Sequence, residues 1–207
     1  LAWGLVLGAC SGRHDLVFGT VLSGRIQAEA GADQVPGLFI NTLPVRLQLA
    51  QQNAADTLQQ VYRHLNELTE HEQAPLALAR RCSAVAPDAP LFNVLLNYRH
   101  KSGQAEAAVA AAMTTHGMRV SHMEERTHYA VTLCVDECEQ ELQLGLQTLS
   151  SIDPHRLLHY CQTALQNLVR AVQQADSKPA SAISVLPASE RENLLHGFNA
   201  HDELPAF

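Results

Sequence analysis

The chain contains 11 histidines and five cysteines, residue types that bind metals or act as nucleophiles when their spacing allows it. Cys134 and Cys138 are four positions apart, but no second ligand pair follows at a spacing typical of zinc sites. His155 and His159 are one helical turn apart, yet no Glu follows the first His as in zinc proteases. The alternatives to metal binding are small apolar cysteines and surface or capping histidines, and the pattern predicts no metal site.

The sequence also lacks the usual patterns of a catalytic nucleophile and of a phosphate-binding loop. Ser23 lies in Ser-Gly-Arg rather than between two glycines, which favours a turn serine over a nucleophile. The glycines at positions 19, 24, 31 and 37 match neither a dinucleotide nor a phosphate-loop fingerprint. Glu124 and Glu125 are adjacent on a predicted loop, where a solvated acidic patch is favoured over an acid/base pair. No motif of this kind predicts catalysis by this chain.

Composition indicates a packed globular chain. Of 207 residues, 46% are hydrophobic, enough for one substantial core. The net charge is −7 and the basic residues are scattered, which argues against nucleic acid as a partner. No apolar run reaches the roughly 18 to 20 residues that cross a bilayer. Five widely spread cysteines do not suggest a disulfide framework, so we expect reduced thiols and a cytoplasmic location without a membrane partner.

Several segments have the alternating or continuous apolar pattern that is typical of β-strands. Asp15–Ser23 reads as a buried strand, and Leu38–Leu49 reads as a second in which Pro44 must lie at an edge, a bulge or an end. Leu91–Tyr98 is strand-like as well. The clearest pair is an antiparallel hairpin that joins the alternating segments 129–135 and 142–146. A loop is predicted at 28–36.

Apolar residues at helical spacing predict the helices. The chain opens in an apolar helix that ends near Gly12. Ala54–His71 follows the candidate cap Asn53, and Pro75 ends that helix or begins the next. Another helix is predicted to begin at Asp153-Pro154, and the Ala-rich segment 104–115 is compatible with a helix, although its periodicity is weak. The core stripes predicted for the two long helices are Leu58, Val61, Tyr62, Leu65 and Leu68, and Leu157, Cys161, Leu165, Leu168 and Val172.

Strands and helices together predict an α/β fold with a mixed sheet. Beyond Asp176 the composition shifts to Ser, Lys, Pro and Ala, which predicts a linker over 178–207 after a domain at 1–177. Because the first residue is Leu and the chain starts inside a predicted helix, we expect the sequence to be a fragment of a longer protein.

Four longer segments resemble the later motifs of condensation domains from non-ribosomal peptide synthetases, in the same order and at similar spacing. They are Phe18–Arg25 (FGTVLSGR), Val35–Arg46 (VPGLFINTLPVR), His71–Ser83 (HEQAPLALARRCS) and Pro90–His100 (PLFNVLLNYRH). The tail SVLPASERENLLHGFN at 184–199 is similar to the passage from such a domain into an adenylation domain. The family's His-His-x-x-x-Asp-Gly motif does not occur in these 207 residues.

The resemblance implies a chloramphenicol-acetyltransferase-like two-layer sandwich lobe with a mixed, largely antiparallel sheet and flanking helices. It also implies the role of a carboxy-terminal lobe, which works with an amino-terminal lobe, with peptidyl carrier proteins that bear phosphopantetheine, and with an adjacent adenylation domain. No cofactor is expected to bind the lobe directly. In this family a donor thioester reacts with an acceptor amine, and the catalytic histidine belongs to the other lobe, so the chain alone is expected to be inactive.

The resemblance also suggests site residues. Ser23, Gly24 and Arg25 are expected to form a turn near the lobe interface, and Asn41, Thr42 and Arg46 are expected to be polar groups near the substrate tunnel. A structural role is the alternative for each: Asn41 and Thr42 would satisfy backbone groups, and Arg46 would belong to a buried ion pair. At the level of function, the alternative to a transferase component is a noncatalytic module that binds a carrier protein or partner domain.

Overall fold

The structure, a computed structural model, describes residues 1–25, 35–49, 52–86, 88–100, 111, 113, 115, 117, 121–122, 126–138 and 141–198. The predicted loop at 28–36, the Ala-rich segment at 104–115 and the pair Glu124 and Glu125 fall wholly or mostly outside these residues. In chain order the elements are α1 (Ala2–Ser11), β1 (Asp15–Leu22), β2 (Asn41–Gln48), α2 (Ala54–Glu70), α3 (Leu76–Arg81), β3 (Val94–His100), β4 (Val131–Cys138), β5 (Glu141–Thr148), α4 (Pro154–Gln173), a 3₁₀ turn (Ala180–Ala182), α5 (Ala188–Glu192) and a π-helical turn (Asn193–Gly197). Within the described residues, no helix combines the length and apolar character that a membrane span requires.

The strands form one mixed sheet in the order β2-β1-β3-β4-β5, which confirms the predicted α/β class. β4 and β5 form the predicted antiparallel hairpin, with Val131 opposite Thr148 and Cys138 opposite Glu141. β1 pairs with β3 and β3 with β4 in parallel, so the sheet is mixed, as predicted. Sequence alternation identifies a strand but not its direction. Long connections separate β1, β3 and β4, and such connections allow parallel pairing.

β1 and β2 closely follow the predicted strands. β2 lies at the edge of the sheet and contains Pro44, so the proline occupies one of the three positions expected for it, an edge. The third predicted strand begins late, because β3 starts at Val94 rather than Leu91.

The chain divides into two compact units. One comprises Leu1–Leu16, Leu47–Val61 and His155–Phe207, and the other comprises Val17–Arg46 and Tyr62–Pro154. Buried apolar residues of the first unit include Trp3, Leu5, Val6, Leu47, Leu49, Val61, Cys161, Ala164 and Leu168. Those of the second include Phe18, Leu43, Val45, Phe92, Leu95, Val131, Leu133 and Cys134.

In the first unit, glycines let α1 lie close to the strand residues beside it. A Cβ atom at Gly4 would lie 2.3 Å from the Leu47 side chain, and one at Gly8 would lie 3.1 Å from the Leu49 side chain. α1 ends as predicted at Gly12, whose φ of 68° is left-handed and whose N–H donates to the Gly8 carbonyl.

The long helices confirm the predicted segments but not all of the predicted faces. Asn53 caps α2, since its side-chain oxygen accepts the Asp56 N–H at 2.9 Å. α2 buries Ala54, Thr57 and Val61, whereas the predicted core residue Tyr62 is 66% exposed. Leu58 and Leu65 are exposed as well. In α4 the buried residues are Tyr160, Cys161, Ala164 and Leu168, while Leu165 is exposed.

The segment after α4 packs within the first unit. The Ala180 N–H donates to the Gln52 carbonyl at 2.8 Å, and Ala180 and Val185 are buried. Further on, the Tyr160 hydroxyl donates to Glu190 Oε1 at 2.7 Å. The residues from 180 to 190 are therefore held to the start of α2 and to α4 by specific contacts.

Candidate functional site

The turn Ser23–Arg25 follows β1 and takes its shape from a glycine. Gly24 is buried with a φ of 70°, and a Cβ atom there would lie 1.8 Å from the Phe39 carbonyl oxygen. Only glycine therefore fits, on grounds of both conformation and space. The Ser23 hydroxyl accepts the Arg25 N–H at 3.3 Å. This serine therefore stabilises the turn, in agreement with the interpretation of Ser23 as a turn serine rather than a nucleophile.

Arg25 connects the turn to the segment before β2. Its Nη2 donates to the Val35 carbonyl at 2.9 Å and lies 3.5 Å from the Gly37 carbonyl. The guanidinium carbon lies 4.1 Å from the centroid of the Phe39 ring, within the range of a cation–π contact. One arginine thus fixes both the backbone and an aromatic side chain of the second motif.

Asn41 begins β2 and binds the third motif. Its Nδ2 donates to the carbonyls of Glu72 and Ala74, at 2.8 Å each, and its Oδ1 accepts the Thr42 N–H at 2.9 Å. The amide is half-buried. Its first two contacts join the second motif to the third, and the last lies within the second motif. Asn41 thus satisfies backbone groups, as the structural alternative proposed.

Gln73 completes this arrangement, since its Nε2 donates to the Gly24 carbonyl. We call the segments Ser23–Arg25, Val35–Thr42 and His71–Pro75, joined in this way, the motif cluster. Sequence reasoning missed Gln73, although its position between His71 and Pro75 of a recognised motif was an available signal. Glu72, beside it, is only 1% exposed.

Arg46 is further along β2 than Asn41 and Thr42, and it is exposed, whereas the structural alternative expected a buried residue. The cluster itself consists of amides, backbone carbonyls and one guanidinium, groups that can fix the position of loops and of a polar substrate chain.

The paired metal-ligand candidates lie on different elements. Cys134 is buried and Cys138 half-buried on β4, whereas His155 and His159 are exposed on α4. Among the described residues, no group of three or more His, Cys, Asp or Glu side chains has an arrangement that could hold a metal ion.

A second polar cluster lies on β3 and β4. Arg99 binds Asp136 through two nitrogens, at 2.6 and 3.1 Å, directly across the parallel pair. Glu137 Oε2 accepts the Tyr98 hydroxyl at 2.7 Å and lies 3.3 Å from His100 Nδ1. The hydrogen bond from Tyr98, followed by that from His100, lowers the pKa of Glu137, and the same bond to Glu137 raises the pKa of Tyr98.

Comparison with known proteins identifies similar chains. The profile of the family described as "Condensation domain" matches residues 1–195. Malpinin synthetase of Mortierella alpina is 41% identical over 205 residues, which cover 98% of this chain and 3% of the relative. Malpibaldin synthetase of the same organism is 37% identical over 202 residues, 98% of this chain and 4% of the relative. The chain thus spans only a few per cent of these curated relatives.

Solved structures show the same fold. A four-domain nonribosomal peptide synthetase bound to AMP and glycine aligns with a TM-score of 0.66 at 14% identity, over 92% of this chain and 15% of that one. The starter condensation domain of rhizomide synthetase, in complex with C8-CoA, aligns with a TM-score of 0.62 at 19% identity, over 90% of this chain and 42% of that one.

Proposed function

Since this chain belongs to the condensation-domain family, we propose that it is the carboxy-terminal lobe of a non-ribosomal peptide synthetase domain that joins a donor aminoacyl or peptidyl thioester to an acceptor aminoacyl thioester. The observation that carries the proposal is the family match over residues 1–195. The motif cluster supports it, because three of the segments that carry the resemblance contact one another in the fold.

In this proposal both reactants arrive on the phosphopantetheine arms of carrier proteins, and the lobe's task is positioning. A reaction between two tethered groups gains mainly from orientation and from stabilisation of the developing oxyanion. Arg25 and Asn41 would keep the segments before and after them in one arrangement, and Ser23, Gly24, Thr42 and Arg46 remain candidates for the lobe interface or tunnel. The catalytic histidine would come from an amino-terminal lobe, because the chain carries no His-His-x-x-x-Asp-Gly motif.

We further propose that residues 1–177 form the lobe and that 178–207 lead toward an adenylation domain in the cytoplasm. The contacts of Ala180 and Glu190 within the first unit support a linker whose first part is fixed to the lobe.

A complementation assay tests the function. The 207-residue chain, an amino-terminal condensation lobe from the 41%-identical relative, and donor- and acceptor-loaded carrier proteins are combined, and the dipeptidyl thioester is measured by mass spectrometry. Product is expected only when both lobes are present. The matched control is an amino-terminal lobe in which the second histidine of its motif is replaced by alanine, which should give none.

Product from the 207-residue chain alone would overturn the proposal that catalysis needs the other lobe. Absence of product from the combined lobes, with a carrier protein still bound to this chain in a pull-down, would overturn the transferase and favour a noncatalytic binding module.

A further inference from the structure

The two edges of the sheet differ in how they are protected against a further strand. β2 forms one edge and carries Pro44, which has no N–H to donate. β5 forms the other edge, and its sequence, ELQLGLQT, contains neither proline nor a basic residue. Glu141, at its start, is the one charged side chain of the strand. Among the described residues, no strand pairs with the outer side of β5, so its backbone groups are open to pairing.

The hairpin geometry determines which backbone groups of β5 point outward. The Leu149 N–H donates to the Ala130 carbonyl at 3.1 Å, just beyond the pair that joins the ends of the two strands. Hydrogen-bonded pairs alternate along an antiparallel ladder, so the odd-numbered residues of β5 direct their N–H and C=O groups toward β4. The groups of Leu142, Leu144 and Leu146 therefore point away from β4, toward the outer side.

The side chains of these leucines form an apolar stripe on one face of the sheet, because their positions differ by two. Leu142 is 56% exposed, whereas Leu144 and Leu146 are half-buried. Leu146 lies opposite the buried Leu133 of β4, so the stripe begins beside the core and reaches the surface at Leu142. A further strand with apolar residues at matching positions would extend this surface.

The sequence of β5 is complementary to itself in the antiparallel direction. When two copies pair about a two-fold axis at Leu144, Leu142 of each copy lies opposite Leu146 of the other. The outward backbone groups then form hydrogen-bonded pairs at all three leucines. In the same register Glu141 lies opposite Gln147, so no like charges face each other. A parallel pairing in register would instead place the two Glu141 carboxylates side by side, which is unfavourable.

We propose that β5 is a dimerisation edge, at which two copies of this chain pair antiparallel about Leu144 and join their sheets into one. A single strand pair buries less surface than the roughly 1,200 to 2,000 Å² of stable complexes, so the dimer is weak and forms at high protein concentration. The inference does not rest on the proposed condensation reaction, because it needs neither the other lobe nor a carrier protein.

Sedimentation equilibrium of the 207-residue chain, from micromolar to millimolar concentrations, measures the dimer dissociation constant. Gln147→Lys places an ammonium group opposite Glu141 at both ends of the pairing and should lower the constant about two- to tenfold. Gln147→Glu places two carboxylates opposite each other and should raise it by a similar factor. The matched controls are Gln59→Lys and Gln59→Glu, at an exposed position of α2, which change the net charge equally and should have far smaller effects.

Amide hydrogen exchange followed by NMR locates the contact. As the protein concentration rises, the amides of Leu142, Leu144 and Leu146 should become protected, whereas those of the odd-numbered residues, which bind β4, should not change. Leu144→Pro removes the central outward donor and leaves the bonds to β4 in place, so it should weaken the dimer at least about fivefold. Circular dichroism checks that this variant folds. If it does not, the two variants at position 147 decide, because both keep every main-chain donor.

Four results would each overturn the proposal. The chain remains monomeric at millimolar concentration, or it forms a dimer in which the amides at 142, 144 and 146 stay unprotected. The Lys and Glu variants at position 147 have equal effects, which excludes the antiparallel register about Leu144. Finally, these three amides are already protected in the dilute monomer, which would mean that the chain itself covers the edge.

Discussion

Gly24 and the carbonyl of Phe39 are so close that a Cβ atom at position 24 would lie 1.8 Å from the carbonyl oxygen. Gly12 has nearly the same left-handed φ, 68° against 70°, but a Cβ atom there would meet nothing within 4 Å. The two glycines therefore separate the effect of conformation from that of space.

We expect Gly12→Ala to lower the free energy of unfolding by about 1 to 2 kcal/mol, the cost of a left-handed alanine. Gly24→Ala should lower it by at least about 2 kcal/mol more, because the Phe39 backbone must move. Urea denaturation followed by circular dichroism measures both. Equal losses for the two variants would show that the close approach at Gly24 is absent in solution.

Asn41→Ala removes two donors from the Glu72 and Ala74 carbonyls, and we expect a loss of about 1 to 3 kcal/mol. Asn41→Asp should cost more, since it places a carboxylate against two carbonyl oxygens. Asn66→Ala, at an exposed position of α2, is the control and should change stability by no more than about 0.5 kcal/mol. The same urea experiment applies, and an aspartate variant as stable as the original chain would contradict the described geometry.

The pair Tyr98 and Glu137 predicts a pH dependence with two limits. The folded pKa of Glu137 is lowered, so its contribution to stability is present above the unfolded pKa and is lost as the pH falls through the folded pKa. The folded pKa of Tyr98 is raised, so its contribution is complete below the unfolded pKa and is lost as the pH rises through the folded one. Both side chains are substantially exposed, so solvent screening keeps the effect small.

Tyr98→Phe removes the hydroxyl donor, and the pKa of Glu137 should therefore rise toward its ordinary value. Carbon-detected NMR of the Glu137 carboxyl group measures this directly. Tyr62→Phe, at an exposed tyrosine on α2, should leave the titration unchanged. An unshifted Glu137 in Tyr98→Phe would mean that the hydrogen bond does not persist in water.

The cysteines should differ in reactivity. Burial raises the pKa of Cys161 to about 12, and Cys134 is also buried, so neither should react with iodoacetamide in the folded chain at about pH 8. Cys82 and Cys10 are exposed, and Cys10 should react more slowly because desolvation raises its pKa. Peptide mass spectrometry gives the order, with alkylation in urea as the control for total thiol. Rapid labelling of Cys161 under native conditions would contradict its burial.

Features of the fold that depend on residues close together in the chain could be predicted from the sequence, whereas features that depend on distant residues could not. The capped helices and the hairpin depend on neighbours in the chain, and Asn53, Gly12 and Pro154 mark their ends correctly. The buried faces depend on distant partners. In α2 the small residues Ala54 and Thr57 face the core while Tyr62 is exposed, a choice that periodicity alone cannot make because large residues lie on both sides.

The same limit applies to the site. The motifs identified Arg25 and Asn41, but not that Asn41 would bind the carbonyls of Glu72 and Ala74. Gln73 was missed although it lies inside the third motif, because the motif does not indicate that this side chain binds a backbone carbonyl 49 residues away. The parallel direction of β3 next to β1 could not be predicted either, because the alternation of apolar and polar residues is the same in parallel and antiparallel strands.

The motif cluster also has a consequence for the order of folding. Its bonds join Gly24 to Gln73 across 49 residues and Asn41 to Glu72 across 31. Closing a long loop costs entropy before its contacts form, so we expect these pairings to form after the local helices. A nascent chain that has emerged only through β2 already contains Gly24, Arg25 and Asn41 but cannot yet hold them in place, since their partners at 72–74 are still to be made. We therefore expect that Gly24, Arg25 and Asn41 take up their final arrangement only after residues 72–74 are present, and that they do not nucleate folding by themselves.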